Sequence, residues 1–132
     1  MESAVERLKA VYENHARGEF YVDTDIWDEN FEMVFTDDFP EPGTHRGLES
    51  FPEAFATWLH AWERWEVHLE EMEVAPDGRV VAWVRLAGYG RGSGIPVESE
   101  GAQVWTFDEA SGLVTRLEIH ADRSAARAIL AG

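Results

Sequence analysis

The sequence has no cysteine. Disulfides, thiolate metal sites and a cysteine nucleophile are therefore excluded. It also has no apolar run near the ~18 residues of a membrane span. Its first residues, Met1-Glu-Ser-Ala-Val-Glu-Arg, are charged where a leader peptide would be apolar, so a cytoplasmic chain without membrane association is expected. Basic residues are scarce: 11 Lys and Arg stand against 26 Asp and Glu, a formal net charge of −15. The imbalance lies in residues 1–75, with 19 acids and 5 bases, while residues 76–132 have 7 and 6. Such a surface repels phosphate backbones and anionic headgroups, so nucleic acid is not an expected partner. The five histidines (15, 45, 60, 68 and 120) form no His-x-x-x-His pair or compact cluster, so no metal is expected. Gly88-Tyr-Gly-Arg-Gly-Ser-Gly joins two strand-like runs and opens no helix, which makes it a bend and hairpin rather than a phosphate loop. A Gly-x-Ser-x-Gly elbow is absent too.

Aromatic surface, by contrast, is plentiful. Six tryptophans (27, 58, 62, 65, 83 and 105) fall in 132 residues. Such residues fill cores and line small-molecule pockets. The length suits one domain, 1–132, able to bury most of its apolar surface without staples.

Local patterns give the element order. Residues 3–17 read as a helix: Ser3 and Glu6 form a capping box, Val5, Leu8, Val11, Tyr12 and Ala16 form a stripe, and Gly18 is a stop. A short turn or helix is expected around Asp25–Trp27, then a strand over 31–36. Ser50, Pro52 and Glu53 mark a second helix start, with Phe51, Phe55, Trp58 or Leu59, and Trp62 as its apolar face. From Trp62 the period changes to two, and strands are predicted to Pro76-Asp-Gly, over 79–90, 95–107 and 113–120. Asp122 is positioned to cap a short C-terminal helix. This is an α+β layout with helices gathered on one face of a curved antiparallel sheet.

The segments "IWDENFEMVF", "GTHRGLESF", "RGSGIPVESEGAQVWTF" and "LVTRLEIHAD", in that order, resemble the SnoaL-like and ketosteroid-isomerase-like families of the nuclear transport factor 2-like superfamily. The resemblance implies a conical fold: a strongly curved antiparallel sheet wrapped on N-terminal helices around an internal apolar pocket. It also implies homodimers that pair through the outer sheet face, here bearing Trp83, Arg85, Tyr89 and Arg91. The isomerases use a general-base aspartate after the first strand. Aligned on Gly47 that position is Asp38, and aligned on the strand it is Phe35. Their two oxyanion donors correspond to Tyr12 or Val11 on the first helix and to Gln103 on the penultimate strand, where relatives have an acid. The aspartate–arginine–aspartate set of the epoxide-hydrolase relatives is replaced here by the apolar Val84, Leu86, Ile119 and Phe35. The cyclases' acid on the last strand has no inward match, since Glu118 alternates outward and Asp122 lies past the strand.

Period two places Ser99, Gly101, Gln103 and Trp105 on one face, with Leu117, Ile119 and Ala121 inward and His120 outward or along a dimer surface. Gln103 is then a lone polar group among apolar neighbours, serving either a ligand or its own surroundings. For Asp37 and Asp38 the alternatives are a polar turn and a base at Asp38. Two functions follow from these residues. One is a cofactor-free enzyme in which Asp38 removes a proton next to a carbonyl, and Gln103 and Tyr12 hold the oxygen. The other is a non-catalytic binder of a small hydrophobic molecule. In both, Met33, Phe35, Trp58, Trp62, Trp105 and Ile119 line the pocket.

Overall fold

The structure, a computed structural model, describes residues 4–17, 26–36, 43–47, 62–90 and 92–131. The helical stripe of the N-terminus folds as α1, Ala4–Ala16, and Leu8, Val11 and Tyr12 on that stripe are buried. Six strands follow among the described residues: β1 Trp27–Phe35, β2 Gly43–Arg46, β3 Trp62–Val74, β4 Val80–Gly90, β5 Pro96–Phe107 and β6 Val114–His120. A second helix, α2, spans Ser124–Ala131, and Asp122 Oδ1 accepts the Ser124 N–H at 2.7 Å, as a cap should. Ser3 and the predicted helix from Ser50 lie outside the described residues.

All strands join one sheet in the order β2-β1-β6-β5-β4-β3. Four pairings are antiparallel; β1 runs parallel to β6. The period-two reading of β3 to β6 therefore holds, with two additions at the start of the chain. Strand β1 begins at Trp27 rather than 31; of the turn or helix expected around Asp25–Trp27, Ile26 lies in a helical turn, Trp27 is already strand and Asp25 lies outside the described residues. Strand β2 occupies Gly43–Arg46, where the sequence pattern predicts no strand; it pairs with Glu32–Phe35 and stops at Gly47, whose φ of 82° a side chain would resist.

A bulge in β3 decides which side chains reach the core. Glu70 has no partner between Leu69, opposite Val84, and Glu71, opposite Trp83. Strict alternation from Val67 and Leu69 would turn Glu71 and Glu73 inward. The extra residue re-phases the strand, so Met72 joins the inner cluster while Glu71 and Glu73 stay exposed. The inner face packs Val67, Val80, Ala82, Val84, Trp105, Leu117, Ile119 and Met33 against Leu8, Val11 and Tyr12. Each large side chain enclosed there contributes roughly 1.5–3 kcal/mol.

The helices do not share one face. Ala126, Ile129 and Leu130 of α2 pack on Val81, Ala102 and Val104, which point away from α1. The reason is phase: those three residues occupy the other set of alternating positions on β4 and β5. Trp83, expected on an outer face that pairs with a second copy, lies beneath the guanidinium groups of Arg123 and Arg127, at 5.5 and 5.9 Å from its ring centre. His120 is correspondingly buried, not exposed, opposite Ala102 on that covered face. Ala121 is exposed because β6 ends before it.

Arg123 fastens α2 to the sheet. Its Nε donates to the Gly101 carbonyl (3.1 Å), and its Nη2 donates to the Val84 carbonyl (2.9 Å) and to Glu70 Oε1 (2.6 Å). The bulged residue of β3 is thus tied to the same side chain as β4 beside it and β5 beyond.

Candidate functional site

Three polar side chains meet inside the apolar inner face. Tyr12 comes from the buried stripe of α1. Gln103 and Trp105 are two residues apart on β5, so they project from the same face. Register sets their neighbours. Gln103 lies between Ala82 of β4 and Ile119 of β6, and Trp105 lies opposite Leu117. Beyond β6, Met33 stands opposite Leu117 and Phe35 opposite Ile119.

The three groups form a hydrogen-bonded chain. Trp105 Nε1 donates to the Tyr12 hydroxyl at 2.7 Å, and that hydroxyl donates to Gln103 Oε1 at 2.5 Å. Relative exposures are 0% for Trp105, 2% for Tyr12 and 7% for Gln103, so these bonds are made out of water. Burial drives the Tyr12 hydroxyl pKa far above its ordinary value, outweighing the Trp105 hydrogen bond, and the group stays protonated. The Trp105 ring also packs on Trp27 at 5.4 Å between centroids and meets Tyr12 edge-on at 5.9 Å.

The sequence reading named Tyr12 and Gln103 as separate donors, and the structure brings them into direct contact with each other. It places Met33 and Trp105 fully buried, Ile119 nearly so, and Phe35 partly buried against the same cluster. Asp38 and Trp58 lie outside the described residues, as does the side chain of Trp62.

His15 is a group the sequence reading passed over. It sits one turn beyond Tyr12, its ring edge-on to the tyrosine at 5.7 Å. The signal was present: residues 8, 11, 12 and 15 form one helical stripe. Burial lowers its pKa from 6.5 to about 4. The unfolded chain therefore binds more protons between those two values, and stability falls as pH drops from about 6.5 towards 4. The loss amounts to about 3 kcal/mol once complete. Urea midpoints at pH ~7 and ~4.5 are expected to differ more in the native chain than in His15→Gln; equal differences would rule out this role.

Among the described residues no three His, Asp or Glu groups converge to hold a metal, and no helix is long and apolar enough to cross a membrane.

Comparison with known proteins extends the picture to nearly the whole chain. Residues 8–117 match the profile of the SnoaL-like domain. A proposed SnoaL-like polyketide cyclase from a Jannaschia species superposes with a TM-score of 0.71 at 20% identity, covering 98% of this chain and 92% of that one. TerC, co-crystallised with polyporic acid, gives 0.75 at 18% identity and 98% coverage of both chains. A nuclear transport factor 2-like protein of unknown function from Burkholderia pseudomallei gives 0.75 at 15% identity over the full length of both. At these identities the likeness is one of fold. No curated protein matches the sequence.

Proposed function

Because the chain belongs to the SnoaL-like family, we propose that it holds a small apolar carbonyl compound within the cone and moves a proton on it without a cofactor. The observation that carries this reading is the Gln103 amide, a polar group 7% exposed on an otherwise apolar face, with its carbonyl oxygen engaged by Tyr12. Its NH2 group is the donor for a carbonyl oxygen. The neighbours called polyketide cyclases support a carbonyl-rich ligand of this kind.

In this reading the Asp38 carboxylate takes a proton from the carbon next to the carbonyl. The C–H electron pair becomes the new C=C bond, and the C=O π pair moves onto oxygen. That enolate oxygen accepts the Gln103 N–H, and protonation of carbon from Asp38 or water completes the cycle. Tyr12 contributes through Gln103.

The minimal reaction is exchange of the protons next to a ketone, followed by proton NMR of 1-tetralone in heavy water. The native chain is expected to accelerate it, and Asp38→Asn to reduce the acceleration by ~100-fold. The second reading, binding without chemistry, is favoured by the apolar residues Val84 and Ile119 at positions where relatives have acids. Binding of 1-tetralone without accelerated exchange would select it.

A further inference from the structure

We infer that Trp105 fixes which end of the Gln103 amide the site presents, and so makes the site select ligands that accept a hydrogen bond over ligands that donate one. The inference rests on reading the cone as a ligand site, and it concerns how that site discriminates.

An indole N–H can only donate. Trp105 Nε1 lies 2.7 Å from the Tyr12 oxygen, so that oxygen accepts. The Tyr12 proton then goes to Gln103 Oε1, its acceptor among the described residues. The Gln103 carbonyl is thereby used on Tyr12, and its two N–H groups are left on the other arm of the amide. No hydrogen bond from that nitrogen occurs among the described residues. An amide on its own could turn over and present either arm at little cost. Here, turning it over would place an N–H against the tyrosine oxygen and strand the Tyr12 proton in a site 2% exposed. Stranding a buried donor favours the observed wiring by roughly 10-fold or more. All donations run in one direction, so each bond also polarises the next and strengthens the terminal N–H as a donor.

Trp105 therefore acts as a positioning residue, two links from the ligand. A shape-matched set of planar tricycles isolates this effect: 9-fluorenone only accepts, carbazole only donates, and fluorene does neither. Affinities are read by calorimetry. The native chain is expected to bind 9-fluorenone at least ~10-fold more tightly than carbazole. In Trp105→Phe the ratio is expected to collapse to within about 2-fold, because the Tyr12 hydroxyl can then turn its proton to a water in the space the indole leaves and accept from the amide. Any general change in cavity size moves fluorene as well and cancels from the ratio. Tyr12→Phe, which retains the indole, breaks the same lock and gives the same collapse. A ratio unchanged in both variants overturns the inference.

A ligand-free measurement separates this from the reading of the cone. In the native chain, proton NMR is expected to show a slowly exchanging Tyr12 hydroxyl proton with a cross-peak to the Trp105 indole N–H, and the Gln103 side-chain NH2 resonances shift in Trp105→Phe. If none of the tricycles binds but these signals are present, the ligand-site reading fails and the wiring stands. If the cross-peak is absent, or the NH2 resonances do not move, the inference itself fails.

Discussion

Replacing Trp105 with alanine is expected to lower the free energy of unfolding by about 4 kcal/mol, read from urea denaturation monitored by circular dichroism. Trp105 is fully buried and is the largest of the side chains so enclosed. It lies on the central strand pairings, between Val80 of β4 and Leu117 of β6, and packs on Trp27 and Tyr12. Truncation removes the transfer energy of the ring and leaves a void lined by residues of three strands and a helix. Those elements are pinned by their own ladders, so little collapse can relieve it. The Tyr12 oxygen loses its donor at the same time, which adds to the cost. A loss below about 1.5 kcal/mol would mean that the pocket side of the ring is open and that the site needs redrawing.

The second large effect falls on the opposite face. Arg123→Ala is expected to cost about 3 kcal/mol, because it strips a donor from the Gly101 and Val84 carbonyls and frees Glu70 from its partner. The Arg123 side chain is 19% exposed, so screening reduces the ion-pair share more than the carbonyl share. Arg123→Lys should recover less than half of the loss, since an ammonium cannot span the three acceptors as a planar fork does. Arg127 supplies the control. It also lies over Trp83, but it is exposed and among the described residues its guanidinium has only that ring as a partner, so Arg127→Ala should cost no more than about 1 kcal/mol. Equal losses at the two arginines would show that stacking on Trp83, not the carbonyl clamp, fastens α2.

These two residues also show where sequence reading reaches its limit. Strands β3 to β6 were legible because Trp65, Val67 and Leu69, and likewise Leu117 and Ile119, alternate with polar residues. Strand β2 was not: Gly43-Thr-His-Arg is four residues long, carries no apolar alternation and owes its conformation to pairing with β1. The outward phase of Glu71 and Glu73 depends on a bulge at Glu70 that no pattern announces. Gln103 stood out as a polar residue on an apolar face, and the family resemblance pointed to Tyr12. Their contact was hidden because it depends on how α1 crosses the sheet, a tertiary property. His120 was assigned to the correct face, outward or along a dimer surface, and is buried there by the fold itself; nothing in "RSAARAIL" says which side of the sheet that helix will cover.

The parallel pairing of β1 with β6 has a consequence for the order in which the molecule can be made. Strands β3, β4, β5 and β6 are sequential neighbours and can zip together hairpin by hairpin as they emerge. Strand β1 cannot join them until β6 exists; Thr36 bonds to the Ile119 carbonyl across 83 residues. Tyr12 must wait as well, since Gln103 is 91 residues away and Trp105 is 93. Closing such long loops is entropically slow, and it delays native structure in proteins dominated by non-local contacts. Strand β1, in the acid-rich part of the chain, therefore lacks its β6 partner over that interval, and the local charge disfavours its association with other chains. The Trp105–Tyr12–Gln103 chain is among the last contacts to close.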